Sequence, residues 1–236
     1  MNTPMLNVIE FITIASTGDS VNFGDLSTDR RLSGCTSNNT RQIFYAGYIA
    51  PANVSTIDYI TIATLGNAVT FGTAAAATRV LQGAGSPTRG IFAGGVDSPY
   101  VDIKYLTIAS TGNSLDFGDL TQARFHVGST SSPIRALFFG GYSPPSATLR
   151  NTVDYVTIET LGNALDFGDL TRSSWSENAT SNSIRGVVGG GLTTPAADNV
   201  IDYVTIATTG NASDFGDMTS ARYDYAAFSD SHGGLS

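Results

Sequence analysis

The chain has 236 residues, of which 41% are hydrophobic and only 14% are charged, so it is long enough to bury a sizeable core. A formal net charge of −8 and a single lysine, Lys104, oppose nucleic-acid binding, because contact with phosphates needs clustered cations. We also expect no membrane insertion, no signal peptide and, since Cys35 is the lone cysteine, no internal disulfide.

A phenylalanine-glycine pair recurs every 46 to 50 residues along the whole chain, and in four of the five copies an aspartate follows it. The repeated positions are Phe23, Phe71, Phe117, Phe167 and Phe215. A fixed period that fills a chain indicates a repeat architecture. We therefore predict a single domain, 1–236, of five repeats. Their approximate ranges are 7–52, 53–100, 101–150, 151–198 and 199–236.

Each repeat opens with a predicted strand that carries an aromatic residue, as in IDYITIAT (57–64). This segment is apolar on both alternating faces, which indicates a strand covered on both sides. A glycine followed by asparagine or aspartate then predicts a tight hairpin, as at Gly66. The second strand bears the phenylalanine, as in LDFGD (115–119).

A third and a fourth strand complete each predicted repeat. The third strands are expected near 31–36, 79–84, 124–129, 174–179 and 222–228. The fourth strand starts on an arginine and ends on glycines, as in RALFFGG (135–141). The arginines are Arg41, Arg89, Arg135 and Arg185. We expect them to pair with carbonyls of an adjacent repeat, or with an acidic column made of Glu10, Asp58, Asp154 and Asp202.

Four short strands in fewer than fifty residues predict an all-β, five-bladed β-propeller with four-stranded antiparallel blades. The ring is expected to close by pairing of the N- and C-terminal strands, with residues 220–236 beside the strand near 8–15. The first interpretation is closure by the HGGLS tail. The alternative is that another chain supplies the missing strand, because an unpaired strand edge favours association. An oligomer is therefore possible.

The order of arginine, apolar strand, paired glycines, loop and tyrosine strand resembles the kelch repeat, although Trp175 does not stand where kelch units carry tryptophan. The strings IDYVTIATTGNASDFGDMTSAR and RGVVGGG are similar to kelch-like repeat proteins of tailed, particularly marine, bacteriophages. The resemblance implies a phage structural or host-contact protein located in the virion and made in the host cytoplasm. Repeats this alike are also compatible with a designed consensus propeller.

Length variation is confined to the loop that follows the paired glycines, which points to binding. Every complete repeat has 30 residues from its aromatic to its arginine, but 16 to 20 from that arginine to the next aromatic. Variable loops on a rigid scaffold are common binding sites, and tyrosine with short polar groups suits sugars or protein surfaces. The candidate residues are Tyr48, Asn53, Asp97, Tyr100, Tyr142, Arg150, Asn151, Thr193, Asp198 and Asn199. Scattered surface tyrosines beside stiffening prolines are the alternative.

No catalytic residue, metal ligand or cofactor is predicted. The acidic column Asp25, Asp119, Asp169 and Asp217 gives one carboxylate per repeat, too few for calcium, so turn capping is favoured. The histidines, His126 and His232, lie in different repeats. A glycosidase would need a spaced pair among the acids that break the repeat, and none is evident. Those acids are Asp97, Asp102, Glu159, Glu177, Asp198, Asp224 and Asp230.

The sequence thus predicts a non-enzymatic, virion-associated phage propeller that binds a host-surface glycan or a neighbouring virion protein through one loop-bearing face. The alternatives are a purely architectural virion component and an intracellular kelch-type scaffold for protein interactions. A glycoside-processing enzyme is the third alternative.

Overall fold

The computed structural model describes residues 5–97, 99–146 and 148–229, and over these ranges the chain is all-β without a helix. Nineteen strands form five antiparallel sheets of two to five strands. The all-β class predicted from the repeats is therefore confirmed. Alternation of valine, isoleucine, tyrosine and threonine with glycine-rich turns accounts for it, because β-branched and aromatic side chains pack well on pleated surfaces.

The sheets follow one another along the chain and are numbered sheet 1 to sheet 5. Sheet 1 contains β1 (Val8–Phe11) and β2 (Val21–Asp25). Sheet 2 contains β3 (Gly34–Ser37), β4 (Arg41–Ile49), β5 (Ala52–Thr61) and β6 (Val69–Thr78). Sheet 3 contains β7 (Gln82–Gly85), β8 (Arg89–Ala93), β9 (Asp102–Thr107) and β10 (Leu115–Asp119).

Sheet 4 contains β11 (Gly128–Ser131), β12 (Arg135–Phe139), β13 (Tyr142–Ser143), β14 (Thr148–Thr157) and β15 (Leu165–Ser174). Sheet 5 contains β16 (Asn178–Ser181), β17 (Arg185–Gly189), β18 (Val200–Thr205) and β19 (Ser213–Asp217). In sheets 2 to 5 the order is the same: a short first strand, the arginine strand, the aromatic strand and the phenylalanine strand.

The short first strands begin about three residues later than predicted, and no strand is assigned within 222–229. The cause is one backbone position, nine residues after each phenylalanine, where φ is positive. It is occupied by Leu32 (60°), Val80 (54°), His126 (55°), Ser176 (54°) and Asp224 (52°). A left-handed residue interrupts extended pairing, so each strand starts only after it.

The tight hairpin predicted at each glycine-asparagine pair is wrong. β5 ends at Thr61 and β6 begins at Val69, so the connection is long. The pair instead contacts the preceding sheet: the Gly66 amide donates to the Phe23 carbonyl at 2.9 Å, and the Asp25 amide donates to Asn67 Oδ1 at 3.1 Å. The same glycine bond recurs at Gly112–Phe71, Gly162–Phe117 and Gly210–Phe167.

This close approach explains the glycine after four of the five phenylalanines; a Cβ on the fifth, Gly216, would meet none of the described residues within 4 Å. A Cβ on Gly118 would lie 2.4 Å from the carbonyl oxygen of Gly162 in the next sheet, nearer than real Cβ atoms come to another heavy atom. Equivalent clashes would occur at Gly24, Gly72 and Gly168. The phenylalanine beside each of these glycines is buried, and apolar clusters fill the spaces between successive sheets.

Three of the four acids in the acidic column form ion pairs through buried carboxylates, but with arginines other than those expected. Asp58 pairs with Arg30 at 2.8 Å, and Asp154 with Arg124 at 2.9 Å. Each carboxylate also accepts bonds from a hydroxyl residue of the preceding repeat, such as Thr121. These partners offset the cost of burying charge between sheets. Asp202 pairs similarly with Arg172.

The arginines at the start of the arginine strands bind carbonyl groups of the next sheet. Carbonyls were one of the two partners predicted for them. Nη1 of Arg41 donates to the Ile108 carbonyl of the next sheet at 2.8 Å, while its guanidinium lies 4.5 Å from the Tyr59 ring centroid. Pairing of this column with the acids is wrong, since those acids bind Arg30, Arg124 and Arg172. The same carbonyl bond is made by Arg89 to Ile158 and by Arg135 to Ile206.

The first strands of sheets 2 to 5 and residues 227–229 line one cavity of about 180 Å³. The contacts between them repeat: Ser181 Oγ donates to the Ser131 carbonyl at 2.7 Å, and Ser229 Oγ donates to the Ser181 carbonyl at 2.7 Å. Residues 227–229 therefore continue the series of first strands, although no strand is assigned to them.

The predicted pairing of the two chain ends is not found within the described residues. There β1 pairs only with β2. No backbone bond of the kind that joins the other neighbours links sheet 5 to sheet 1 in the described part of the chain. Phe215 accordingly keeps 56% of its surface exposed, against 3% for Phe167. The HGGLS tail lies outside the described residues.

Candidate binding site on the loop side

A cavity of about 660 Å³ opens where the loops after the paired glycines meet the residues that precede the first strands. We call it the loop-side cavity. It is lined by Arg31, Leu32, Tyr48, Asn53, Arg79, Val80, Val96, Tyr100, Phe125, His126, Pro144 and Asp224. Its walls come from the first three repeats and, through Asp224, from the fifth. No single repeat could form it.

Backbone bridges hold the two kinds of wall residue together. The Arg31 amide donates to the Tyr48 carbonyl at 3.2 Å, and the Tyr48 amide donates back at 2.8 Å. The equivalent bridge joins Phe125 and Tyr142 two repeats later. Because each bridge fixes the backbone beneath a large side chain, the wall is ordered before any ligand arrives.

An aromatic cluster extends from one side of the cavity. The ring centroids of Phe125 and Tyr142 are 5.1 Å apart, and those of Tyr142 and Trp175 are 5.8 Å apart. Tyr100 joins from the sheet 3 loop, 5.9 Å from Phe125. All four side chains are half-buried, so each keeps part of its ring accessible. A contiguous set of partly exposed rings offers apolar faces to a ligand.

Two arginines surround one tyrosine on the other side. The guanidinium of Arg79 lies 4.6 Å from the Tyr48 ring centroid, and that of Arg31 lies 5.3 Å from it. Nη1 of Arg79 also donates to Asn53 Oδ1 at 3.1 Å. Neither arginine makes a salt bridge within residues 5–97, 99–146 and 148–229. Their charges are thus available to a ligand.

His126 lies between the two groups. Its ring is 4.7 Å from Trp175, and Nδ1 is 3.1 Å from Ser176 Oγ. Burial lowers the pKa of His126, with the nearby carboxylate of Asp224 acting in the opposite direction. The imidazole is therefore mainly neutral at pH 7 and serves as a hydrogen-bonding wall.

A second cavity of about 260 Å³ shares Leu32, Val80, His126 and Asp224 with the first and leads toward the first strands. Glu177 also lines it and is almost fully buried. Ser174 Oγ donates to Glu177 Oε1, and Oε2 has no hydrogen-bond partner within the described residues. Burial raises the pKa of Glu177 to about 8, so this carboxyl is mostly protonated at pH 7.

Four of the ten predicted site residues come together here. Tyr48, Asn53 and Tyr100 line the loop-side cavity, and Tyr142 belongs to its aromatic cluster. A prediction based on loop variability therefore located one surface from several distant segments.

The other six lie elsewhere or have structural contacts. Asp198 pairs with Arg172 at 2.7 Å, and Asn199 Nδ2 donates to the Met218 carbonyl. Thr193 Oγ1 closes its own turn on Ala196. Arg150 Nε donates to Ser143 Oγ at 2.9 Å, which ties β14 to β13. Asp97 lines a separate small cavity, and Asn151 is half-buried on β14 outside this site.

The prediction missed a column eight residues after each phenylalanine. It holds Arg31, Arg79, Phe125, Trp175 and Tyr223. The only signal in the sequence is size, since all five side chains in this column are large, whereas those in the following column range from serine to histidine. The sequence predicts a variable strand at this column, whereas in the structure Arg31, Arg79 and Phe125 line the cavity and each precedes a residue with positive φ.

The acids that break the repeat are mostly engaged elsewhere. Glu159 accepts bonds from Ser86 and Thr88 of the preceding sheet, and these bonds lower its pKa. Asp102 pairs with Lys104 at 3.0 Å. Of the acids named for an enzyme, Asp224 alone lines the loop-side cavity, while Asp230 lies outside the described residues.

The aspartates that follow the phenylalanine-glycine pairs were predicted to cap turns through their carboxylates, and Asp169 illustrates a different arrangement. The Asp169 amide, not its carboxylate, bonds Asn211 Oδ1 of the next sheet, and the local amide of Gly168 is bound by Asp166. Within the described ranges no group of three or more His, Cys, Asp or Glu side chains could hold a metal ion. No helix in those ranges is long and apolar enough to cross a bilayer.

Comparison with known proteins adds no relative: no family model and no curated protein matches the chain.

Proposed function

We propose that the five sheets are the blades of a closed five-bladed propeller. Support comes from the outer faces of sheets 1 and 5, which make no contact with each other within the described residues. Their residues occupy the same repeat columns as the residues that join the other neighbouring sheets. Phe215 and Gly18 occupy the columns of Phe167 and Gly210. Arg222 and Glu10 are likewise in the columns of the buried Arg124–Asp154 pair, and both are exposed. Closure would bury apolar surface and join these charges.

A designed disulfide tests closure. In the filled contacts the residue after the phenylalanine-glycine pair meets the asparagine of the next sheet, as in Asp169 with Asn211 at 3.1 Å. Asp217→Cys with Asp19→Cys, in a Cys35→Ser background, should therefore form an intramolecular bond. Non-reducing electrophoresis and mass spectrometry should show a cross-linked monomer. A ladder of linked copies, or no bond, would contradict a closed ring.

We further infer that the loop-side cavity binds a saccharide, and that the protein acts by binding rather than by catalysis. The observation that carries this inference is a cavity in which the half-buried rings of Tyr48, Tyr100 and Phe125 lie together with two arginines that make no salt bridge within the described residues. Sugar rings stack their C–H faces on aromatic rings, while guanidinium, amide and imidazole groups bond hydroxyls and carboxylates. A volume of about 660 Å³ suits a ligand of one to three sugar units.

The arginines favour sugars that carry a carboxylate. In a chain of net charge −8, two guanidiniums without acidic partners at one cavity form a local positive site. An Arg–carboxylate bond is stronger than a neutral hydrogen bond and can be bidentate. Asp224 lies on the same wall and restricts where the anionic group can sit.

A microarray of neutral and carboxylate-bearing oligosaccharides tests the inference. Tyr48→Ala should weaken binding by about tenfold or more, because it removes an aromatic face and the support of both arginines. Tyr223→Ala is the matched control, since that tyrosine is exposed and lies outside the cavity. Equal loss in both variants, or no retained glycan, would contradict the saccharide site. Release of sugar product would indicate the glycosidase alternative.

The biological setting follows from the resemblance to phage repeat proteins and is part of the same proposal. We propose a virion-associated protein that contacts a host-surface glycan through the loop-side cavity. A neighbouring virion protein is the second candidate ligand, because Tyr, Trp and Arg are also typical of protein interfaces. Immunogold labelling of particles would place the chain on a virion, and absence of label would favour an intracellular scaffold.

A further inference from the structure

We propose that the second cavity is a subsite for an acylamino group, such as N-acetyl, on the saccharide held in the loop-side cavity. This subsite rests on the saccharide function proposed above and adds one substituent to it. Leu32, Val80, His126 and Asp224 line both cavities, so a ligand seated in the loop-side cavity meets the second cavity directly. With Ser176, which lines the second cavity only, these residues form what we call the collar.

The collar carries side chains where the backbone favours glycine. Its five residues have φ between 52° and 60°, in the left-handed region. A Cβ makes this conformation costly, and a β-branched residue such as Val80 is a clear outlier there. Strained residues of this kind are concentrated at binding sites, where the side chain has a use. Since all five residues line the second cavity, that use is contact with a ligand.

Backbone bonds divide the collar into an apolar arc and a polar arc. The Val80 amide donates to the Leu32 carbonyl at 3.0 Å, which joins the two apolar residues. The Ser176 amide donates to the His126 carbonyl at 3.1 Å, and the Asp224 amide donates to the Ser176 carbonyl at 3.5 Å. These two bonds join the three polar residues. The boundary between the cavities is therefore apolar along one arc and polar along the other.

The apolar arc suits the methyl group of an acetyl substituent. Leu32 leaves 46% of its surface exposed, and Val80 is half-buried. Leu81 and Val127 also line the second cavity. Contact between these side chains and a methyl group removes apolar surface from water on both partners. A hydroxyl or an ammonium group in the same place would instead lose its hydration.

The polar arc offers the hydrogen-bond partners that an amide needs. His126 Nδ1 and Ser176 Oγ are 3.1 Å apart and share one hydrogen. If the serine donates, the Nε2–H of the neutral imidazole remains for a ligand, and if the imidazole donates, the serine hydroxyl hydrogen remains. Either tautomer therefore leaves one donor for the carbonyl oxygen of the amide. The Asp224 carboxylate only accepts, so it suits the amide N–H.

The second cavity has room for the complete substituent. Its volume is about 260 Å³, and beyond the collar it is lined by Ser33, Gln82 and Asn178. The sugar ring then stays in the loop-side cavity with Tyr48 and Tyr100, while its acylamino group passes the collar.

Matched saccharides test the subsite by isothermal titration calorimetry. The probes are two pairs that differ only in the replacement of acetamido groups by hydroxyls. They are N-acetylneuraminic acid with its 5-hydroxy analogue, and tri-N-acetylchitotriose with cellotriose. In at least one pair, native protein should bind the acetamido form about tenfold more tightly, because the methyl contact and the amide bonds are specific to it.

Two collar variants and one variant outside the collar locate this recognition. Asp224→Gly removes the acceptor and Leu32→Asn removes part of the apolar arc. Glycine and asparagine both favour the left-handed backbone, so both proteins should fold. Each variant should reduce the preference to about threefold or less. Tyr48→Ala is the control, since Tyr48 lines the loop-side cavity only, and it should weaken both members of a pair without changing their ratio.

The outcomes distinguish failure of the subsite from failure of the saccharide function. If native protein binds no saccharide at all, both are wrong. If it binds the two members of each pair with equal affinity, only the subsite is wrong. A preference that Asp224→Gly and Leu32→Asn leave unchanged would also overturn the subsite, because the acetamido group would then be recognised outside the collar.

Discussion

The contact between sheets 3 and 4 and the exposed face of sheet 5 contain the same sequence signature in different surroundings. Phe117 is buried beneath the Gly162 turn, and its carbonyl accepts a bond from that glycine at 2.9 Å. Phe215 has the same local sequence and is 56% exposed. The comparison teaches that the phenylalanine-glycine signature encodes docking of one sheet on the next. It is not needed to form the strand that carries it.

Removal of a buried charge gives the strongest test of whether the two regions differ in solution. Asp154→Ala leaves Arg124 fully buried without its partner, and breaking such a pair costs about 3 to 5 kcal/mol. Glu10 is the equivalent acid on sheet 1, and the closed ring proposed above would bury it against Arg222, so Glu10→Ala should also be strongly destabilising. Urea unfolding measures both variants. A change within about 0.5 kcal/mol for Glu10→Ala, as is usual for an exposed residue, would contradict the closed ring.

The junction of sheets 4 and 5 should also depend on pH. Burial raises the pKa of Glu177 from an ordinary value of 4.5 to about 8. Between these values the native state holds a proton that the unfolded state has lost, so the free energy of unfolding falls as pH rises from 4.5 to about 8 and then levels off.

Glu177→Gln should remove this decline and be more stable than the native protein at pH 8, by on the order of a few kcal/mol. Thermal unfolding at several pH values measures the effect. Glu159→Gln is the control, because that acid is exposed and its pKa is lowered rather than raised. A pH profile that is unchanged in Glu177→Gln would contradict the assignment.

Glycine substitution sharpens the comparison on a smaller scale. Gly118 and Gly216 both have positive φ, at 147° and 138°, so alanine strains the backbone at each. Only at Gly118 would the added Cβ also meet a neighbouring sheet, and overpacking of this kind costs about 1 to 3 kcal/mol. In the closed ring proposed above, Gly216 would meet Gly18 as Gly118 meets Gly162, so both alanine variants should lower the urea midpoint to a similar extent. A clearly higher midpoint for Gly216→Ala would show that sheet 5 keeps this face uncovered.

Much of the fold could be predicted because the same strand and turn residues recur in five repeats. Alternating apolar residues identified the strands. The prediction that the arginine column bonds carbonyls of an adjacent repeat is confirmed for Arg41, Arg89 and Arg135. The functions of Gly66 and Asn67 were not predictable from local rules, since a glycine-asparagine pair favours a hairpin. In the structure these residues bond a strand some forty residues earlier, and such long-range contacts leave no local signature.

The site was predicted only in part for a related reason. Tyr48, Asn53, Tyr100 and Tyr142 are predicted because they lie in the segments of unequal length between each arginine and the next aromatic residue. Arg31 and Trp175 stand in segments of constant length and were read as strand residues. Arg31 lines the cavity and Trp175 belongs to its aromatic cluster. Each precedes a left-handed residue, Leu32 or Ser176, and neither residue type favours that conformation, so the interruption of the strand was not predictable.

The separation of these two sets of residues has an evolutionary consequence. Docking of one sheet on the next rests on backbone bonds between the glycine and phenylalanine columns, whereas the cavity is lined by side chains beside the left-handed position. Residues at Arg31, Arg79, Phe125 and Trp175 can therefore change in one repeat without disturbing docking in the others. Duplication of a repeat followed by substitution at one of these positions would change the proposed binding site without changing the contacts between the sheets.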